Sequence, residues 1–393
     1  MKRVVLSLFI FIALINCQLN KVKNSRIENY LLKEEDNSWA LNGIGYYIEV
    51  EKFIDSDGNG IGDIKGIINN INYFKANEIN SLDIDFIILG DIFLEDNKFN
   101  KKVGTYSDLL NLIKIADKNN IKILTDITFD LDNNTNYYPL MEEKVLKGIA
   151  GFRLNFKNLN NNSDLIAFFN AIKELKDKYK YLFIFCTLDK KYIPLLKNSN
   201  LDAIQYSNEN ITNIEFNNDF NSIINFVFND SKNKTILPKL LFTLPQIPVI
   251  KYKDEFGNLE LDSISIQDAI KKPDKNKTFL LYKEIIKLRK KFSININSKF
   301  IFHSDDNNTF SFFIKNQDKK YLLFINKNPY VSLCYLRNGE WLKEIDTTNG
   351  KEFVLVELYG DSVNTKYYIP KNNLGIFCNI KDSGIKVFEI IEK

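Results

Sequence analysis

DSDGNGIGD, residues 55–63, follows an alternating apolar run, Gly45–Phe53, and precedes a run with helical spacing that starts at Ile61. Asp55, Asp57, Asn59 and Asp63 are interleaved with glycines, the composition of a tight loop rather than of a helix or strand. The start of the loop matches an EF-hand, with Asp55, Asp57, Asn59 and Gly60 in register. Position twelve, however, is Gly66, where that motif needs a bidentate Glu. A phosphate cradle is excluded too: the Gly-Lys-Ser/Thr is missing, and the aspartates would repel the ligand. Two readings stay open. The oxygens at 55, 57, 59 and 63 suit a hard cation such as calcium, which takes its ligands at about 2.3–2.6 Å. Alternatively the stretch is an acidic βα turn in which Asp63 caps the next helix.

The chain around this loop has 393 residues and a formal charge of +3 from 53 basic and 50 acidic side chains. That length allows one large domain and a smaller one, and so even a charge balance argues against a nucleic-acid partner. A single histidine, His303, excludes chemistry that needs two. Strand-like runs at Gly45–Phe53, Ile84–Leu89, Ile121–Thr128, Gly151–Phe156, Tyr181–Thr187, Leu201–Tyr206, Ile223–Phe228 and Pro248–Tyr252 alternate with helical patterns. The latter are Ile61–Asn77, Thr105–Asn119, Ser163–Lys178, Lys190–Lys197, Lys234–Leu244 and Thr278–Phe292. Eight β-then-α units in about 250 residues predict a (β/α)8 TIM barrel over 43–292 rather than a doubly wound sheet. After Phe292 the periodicity changes to two, with Asn338-Gly339 and Asn349-Gly350 as turn signals. This predicts an antiparallel β-sandwich domain over 293–393.

At the N-terminus, Lys2 and Arg3 precede the apolar run Val4–Ile15, which closes on "LINC" at Cys17. That is the layout of a secretory signal. The closing Cys resembles a bacterial lipobox, so residues 1–17 are expected to be a lipoprotein signal with Cys17 lipidated. Residues 18–42 are then a polar tether, and the protein sits on a bacterial membrane or cell surface through its lipid. Cys186, Cys334 and Cys378 lie in apolar runs and read as buried thiols; a Cys334–Cys378 bridge is the open alternative.

The stretch beginning DSDGNGIGDIKGI and running to "IDFIIL" (84–89) resembles the first βα unit of the α-amylase family, glycoside hydrolase family 13, in its oligo-1,6-glucosidase branch. Further likeness lies in "VGTYSDLLNLIKIADKNNIKILTDITFD" (103–130), "GIAGFRLNF" (148–156), "LPQIPVIKYKDEFG" (244–257) and "YKEIIKLRKKF" (282–292). The resemblance implies a structural calcium on Asp55, Asp57, Asn59, Asp63 and the carbonyl of Ile61. It also implies a retaining mechanism with two carboxyls about 5–5.5 Å apart.

At the positions that the resemblance marks as catalytic, the residues differ. Asp126 and Arg153 persist, but the nucleophile position holds Asn155, the acid/base position falls at Cys186–Thr187, and Asp230 in "FNDS" is what remains of a third motif. Asp189 opens a helical pattern and reads as an N-cap. The sequence therefore predicts a chain that is not an enzyme: a membrane-anchored protein-interaction or structural module with a protein partner. The alternative is a carbohydrate-binding protein or a glycoside hydrolase acting on α-glucosides. In it an oligosaccharide would stack on Tyr46, Tyr47, Tyr137, Tyr138 or Tyr206, with Asp126, Asp130 and Asp189 as relocated carboxylates.

Overall fold

The computed structural model describes residues 36–75, 80–94, 98–131, 136–157, 162–188, 192, 199–206, 224–227, 236–243, 246–257, 263–295, 298–304, 308–337, 344–345, 353–369, 375–381 and 384–392. Cys17, Asp189, Asp230, the helical pattern at 190–197 apart from residue 192, and both Asn-Gly turns lie outside them. The chain divides into two compact units, Met1–Asn210 with Leu261–Lys271, and Ile211–Glu260 with Lys272–Lys393.

The first unit is a parallel sheet of β1 (Gly45–Glu49), β2 (Phe86–Gly90), β3 (Lys122–Asp130), β4 (Gly151–Lys157), β5 (Phe183–Leu188) and β6 (Ala203–Tyr206), paired in sequence order. All five residues of β2 are buried. Such continuous apolar runs are what strands covered on both faces require. The helix Tyr106–Lys118 starts on a capping box in which Thr105 and Asp108 satisfy one another's backbone N–H groups, worth about 1 kcal/mol. The expected helix Ile61–Asn77 is instead two short ones, Ile64–Asn69 and Ile71–Phe74, broken at Asn70. Two further helices, Tyr137–Val145 and Ser263–Lys271, were not legible in the sequence. The last residues of the expected tether are packed: Ser38–Leu41 is helical, and Trp39 donates to the Tyr181 carbonyl while its ring meets Phe86 and Phe183 edge-on.

The second unit contains the parallel pair β7 (Ile224–Val227) and β8 (Ile247–Lys251), the helices Ile236–Thr243 and Lys277–Phe292, and the antiparallel strands. Arg289, 2% exposed, ties that long helix to the carbonyls of Phe242 and Gln246. The antiparallel part has a six-stranded sheet in the order β14 (Lys366–Ile369), β13 (Phe353–Tyr359), β16 (Ile385–Glu392), β11 (Lys319–Asn326), β10 (Thr309–Asn316), β9 (Lys299–Ser304). A two-stranded sheet pairs β12 (Ser332–Arg337) with β15 (Gly375–Ile380). Alternation decides the layers. Phe312 and Ile314 face the cluster that includes Leu288 and Phe292, while Phe313 faces the cluster shared with Cys334 and Leu336. This is the period-two pattern of a strand buried on both faces by different neighbours. Six parallel strands in one unit, two in the other and the antiparallel sheets after them are the inventory of a (β/α)8 barrel with a C-terminal sheet domain. Among the described residues no helix is long and apolar enough to cross a membrane.

Candidate active site at the strand ends

In parallel βα folds the catalytic groups stand at the C-terminal ends of the strands. In the first unit, β1, β3, β4, β5 and β6 each send a polar side chain from that end into one hydrogen-bonded group. Asp126 on β3 is its centre. One carboxylate oxygen accepts from Asn155 Nδ2 at 2.6 Å; the other accepts from the Arg153 guanidinium at 2.9 Å and the Tyr47 hydroxyl at 3.3 Å. Arg153 and Asn155 are both on β4, two residues apart, so strand alternation places both side chains on one face. The strand register sets Asp126 opposite Arg153.

Arg153 reaches further. Its Nε donates to Gln205 Oε1 at 3.0 Å, an oxygen that also accepts from Thr187 Oγ1 at 3.1 Å. The guanidinium lies over the Tyr47 ring, 5.1 Å from its centroid. Gly90 gives Tyr47 its room: a Cβ there would stand 2.7 Å from the Tyr47 hydroxyl and 3.2 Å from the Ile48 carbonyl. Asp126 and Arg153 side chains are each 14% exposed. Burial pushes the Asp126 carboxyl up, against the opposing pull of Arg153, Asn155 and Tyr47. The Tyr47 phenol is pushed up by burial and then by Asp126.

A second carboxyl stands at the end of β2. Asp91 is the residue after that strand and has a left-handed backbone, φ 63°, a conformation that a non-glycine residue adopts under constraint. The constraint is Asn100, 3% exposed, whose amide donates to the Asp91 carbonyl at 2.8 Å and to Glu51 at 2.7 Å. Asp91 is exposed; its carboxyl is raised by partial desolvation and then by Glu49, Glu51 and Asp126, with only Lys52 pulling the other way. Both carboxyls are raised, first by desolvation, and they differ in their neighbours. The neighbours of Asp126 are donors that favour its ionised form; those of Asp91 are mostly anions that favour its neutral form.

The sequence named Asp126, Arg153, Asn155, Thr187 and Tyr47, and the structure brings all five together. It missed Gln205, Asp91 and Asn100. Gln205 was readable as a lone polar residue inside the apolar run "LDAIQY", but nothing in the sequence marks Asp91 as constrained. Three of the other proposed sugar platforms are corrected, while the Tyr206 side chain lies outside what the structure describes. Tyr46 is 0% exposed between Tyr73 and Phe74, and Tyr137 is 2% exposed between Phe129 and Phe168. Tyr138 is turned along its helix to Glu142 at 2.6 Å. Asp130 ends β3 as an exposed residue.

In the 55–63 loop, one ligand atom from each of Asp55, Asp57 and Asp63 lies within 4.8 Å of the others. Gly58 and Gly60 have φ of 81° and 87°, which lets the loop fold back on Asp55. That carboxylate accepts the N–H groups of Asp57, Gly58 and Gly60, and these bonds, that from Gly60 foremost, hold it below the usual range. Asp63 also caps the helix Ile64–Asn69 through Gly66 N at 2.7 Å and accepts from Ser56. The turn reading and the cation reading thus describe the same residues. A convergent trio of carboxylates fits a hard cation.

No protein-family model matches the chain. Curated relatives match part of it. Alpha-amylase 3 of Dictyoglomus thermophilum is 35% identical over 99 residues, 23% of this chain and 19% of that protein. Oligo-1,6-glucosidase of Bacillus cereus is 29% identical over 103 residues, 23% of this chain and 18% of that protein. The matched stretch thus spans about a fifth of these relatives' length. By fold the likeness is far wider. The alpha-amylase from Geobacillus thermoleovorans, solved with acarbose, superposes with a TM-score of 0.68 over 92% of this chain and 100% of that one, at 16% identity. These matches are to enzymes, and they overturn the expectation that the chain is not one; a non-catalytic interaction module has no support among them. The proteins to which this chain is related, in sequence over part of its length and in fold over most of it, are glycoside hydrolases of the α-amylase family.

Proposed function

We propose that the chain is a glycoside hydrolase of α-amylase type acting on α-glucosides at the strand ends of its first unit. The observation that carries this is the pair of unlike carboxyls there. Asp126 is surrounded by the donors Arg153, Asn155 and Tyr47, and Asp91 has Glu49, Glu51 and Asp126 as neighbouring charges. Glycoside hydrolysis needs one ionised carboxylate and one carboxylic acid. Asn155 is an amide and forms no glycosyl ester, so the ionised role goes to Asp126 and the proton donor is Asp91. Arg153 and Gln205 position Asp126, and Tyr47 donates its hydroxyl to the same carboxylate. Asp126→Asn and Asp91→Asn test this. Each is expected to lower kcat/KM on maltose or nitrophenyl α-glucoside by about 10²-fold or more while sugar binding persists. Unchanged rates in both variants would reject the assignment.

We also propose that Asp55, Asp57 and Asp63, with Asn59 and the Ile61 carbonyl, hold a calcium ion whose role is to stiffen the first βα turn. A further proposal is that Cys17 carries a lipid that anchors the protein to a membrane; its support is the basic residues, apolar run and terminal Cys of the N-terminal sequence.

A further inference from the structure

In the two-stranded sheet of the second unit, six residue pairs face one another, and one of them is Cys334 opposite Cys378. The whole chain has four cysteines, and two of them fall on the same rung. Directly opposed residues of antiparallel strands have Cα atoms about 4.5–5.5 Å apart. Disulfides span about 4.4–6.8 Å. Opposed side chains also point to the same face, and here both belong to one cluster with Phe313, Leu322, Phe324 and Phe388.

We propose that Cys334 and Cys378 are a cross-strand disulfide site, oxidised by exchange with a low-molecular-weight or protein disulfide. The two thiols differ in access, which sets the order of events. Cys334 is 0% exposed and donates to the Ile325 carbonyl at 3.5 Å; Cys378 is half-buried. The Cys378 thiolate attacks one sulfur of the external disulfide and expels a thiolate. Cys334 then attacks the mixed disulfide at the Cys378 sulfur and expels the second thiolate. Two electrons pass to the external disulfide, and the two protons leave on the released thiols. Burial, and then Cys334, raise the Cys378 thiol above its ordinary value, so the exchange is slow at neutral pH. The bond pins β12 to β15 across the long segment between them. Burial of one face in that cluster sets the register of the sheet, and a covalent rung further constrains the unfolded chain. Cys186 provides the contrast: its neighbours in register are Leu154 and Ile204, and it has no cysteine across from it.

The full chain is equilibrated in a mixture of oxidised and reduced glutathione, quenched with acid, denatured and alkylated. Peptide mapping is expected to show the 334 and 378 peptides joined, lighter by two hydrogens, with Cys186 alkylated. In denaturant the same mixture is expected to yield that link at least about tenfold less, because the fold supplies the effective concentration. Cys334→Ser is expected to stop at glutathione on Cys378. The proposal is overturned by alkylation of both thiols in the folded protein, by a persistent glutathione adduct in the wild type, or by equal bridging in folded and denatured chains.

Discussion

Asn155 Nδ2 lies 2.6 Å from Asp126 Oδ1 and donates to it. With Arg153 on the other oxygen, the carboxylate is satisfied from both sides by β4, the strand that in the resembling family carries the nucleophile. The identity of residue 155 thus decides the charge of the site.

Replacing that amide by a carboxyl gives the first prediction. In Asn155→Asp two carboxyls would meet at hydrogen-bond distance, and such a pair keeps one proton. The folded-state pKa of one member is then raised above its unfolded value near 4. The folded chain binds the extra proton, so stability falls as pH rises between those two values. The variant is expected to melt close to wild type at pH 4 and to lose about 2 kcal/mol at pH 8. Equal losses at both pH values would contradict the pairing.

The loop at 55–63 gives the second. A bound cation stabilises by mass action, about 2.7 kcal/mol at a hundredfold excess over Kd. Added chelator is expected to lower the Tm by several degrees, calcium to restore it, and Asp57→Ala to remove the response. A melt indifferent to chelator would leave only the Asp63 cap.

Burial of acids in the second unit gives the third. Asp254 is 1% exposed beside Glu255 at 0%. Its carboxyl is raised well above the ordinary 3.8 by burial first and by Glu255 next, against Lys251. A raised carboxyl pKa means that the fold holds a proton which the unfolded chain releases near pH 4, so this group's contribution declines as pH rises above that value. Asp254→Asn is expected to flatten the decline in Tm between pH 4.5 and 8. An identical pH dependence in wild type and variant would refute it.

The anchor gives the fourth. With Cys17 lipidated, wild-type protein made in a lipoprotein-processing bacterium is expected in the detergent phase, and Cys17→Ser in the aqueous phase. Aqueous wild type would reject the lipid.

Much of this architecture could be read from residue spacing. All eight parallel strands fall within the apolar runs or a residue or two of them, because strands buried on both faces must be continuous hydrophobic stretches. The helix Tyr137–Val145 was hidden: its face is mixed, with Lys144 buried under Phe93, so it lacks a clean apolar stripe. Asp126, Arg153 and Asn155 were legible because strand alternation fixes their common face. Asp91 was not, since its importance comes from a left-handed backbone and from Asn100, nine residues away. Tyr46 and Tyr47 show the limit plainly. Adjacent and identical in type, they differ only in which side of β1 they occupy, and only Tyr47 reaches the site.

The most direct measurement is wild-type turnover of maltose, isomaltose and nitrophenyl α-glucoside as a function of pH, read against a buffer blank. The account predicts turnover above blank with a bell-shaped kcat/KM. The acid limb comes from Asp126, which must be ionised and whose pKa is raised by burial. The alkaline limb comes from Asp91, which must hold its proton; the assignment requires it to titrate above Asp126, both carboxyls being raised. Both limbs are expected above the ordinary aspartate range, with the alkaline one lost in Asp91→Asn. Rates indistinguishable from the blank on all three substrates at every pH, with the protein folded, would contradict the claim that these strand ends hydrolyse α-glucosides.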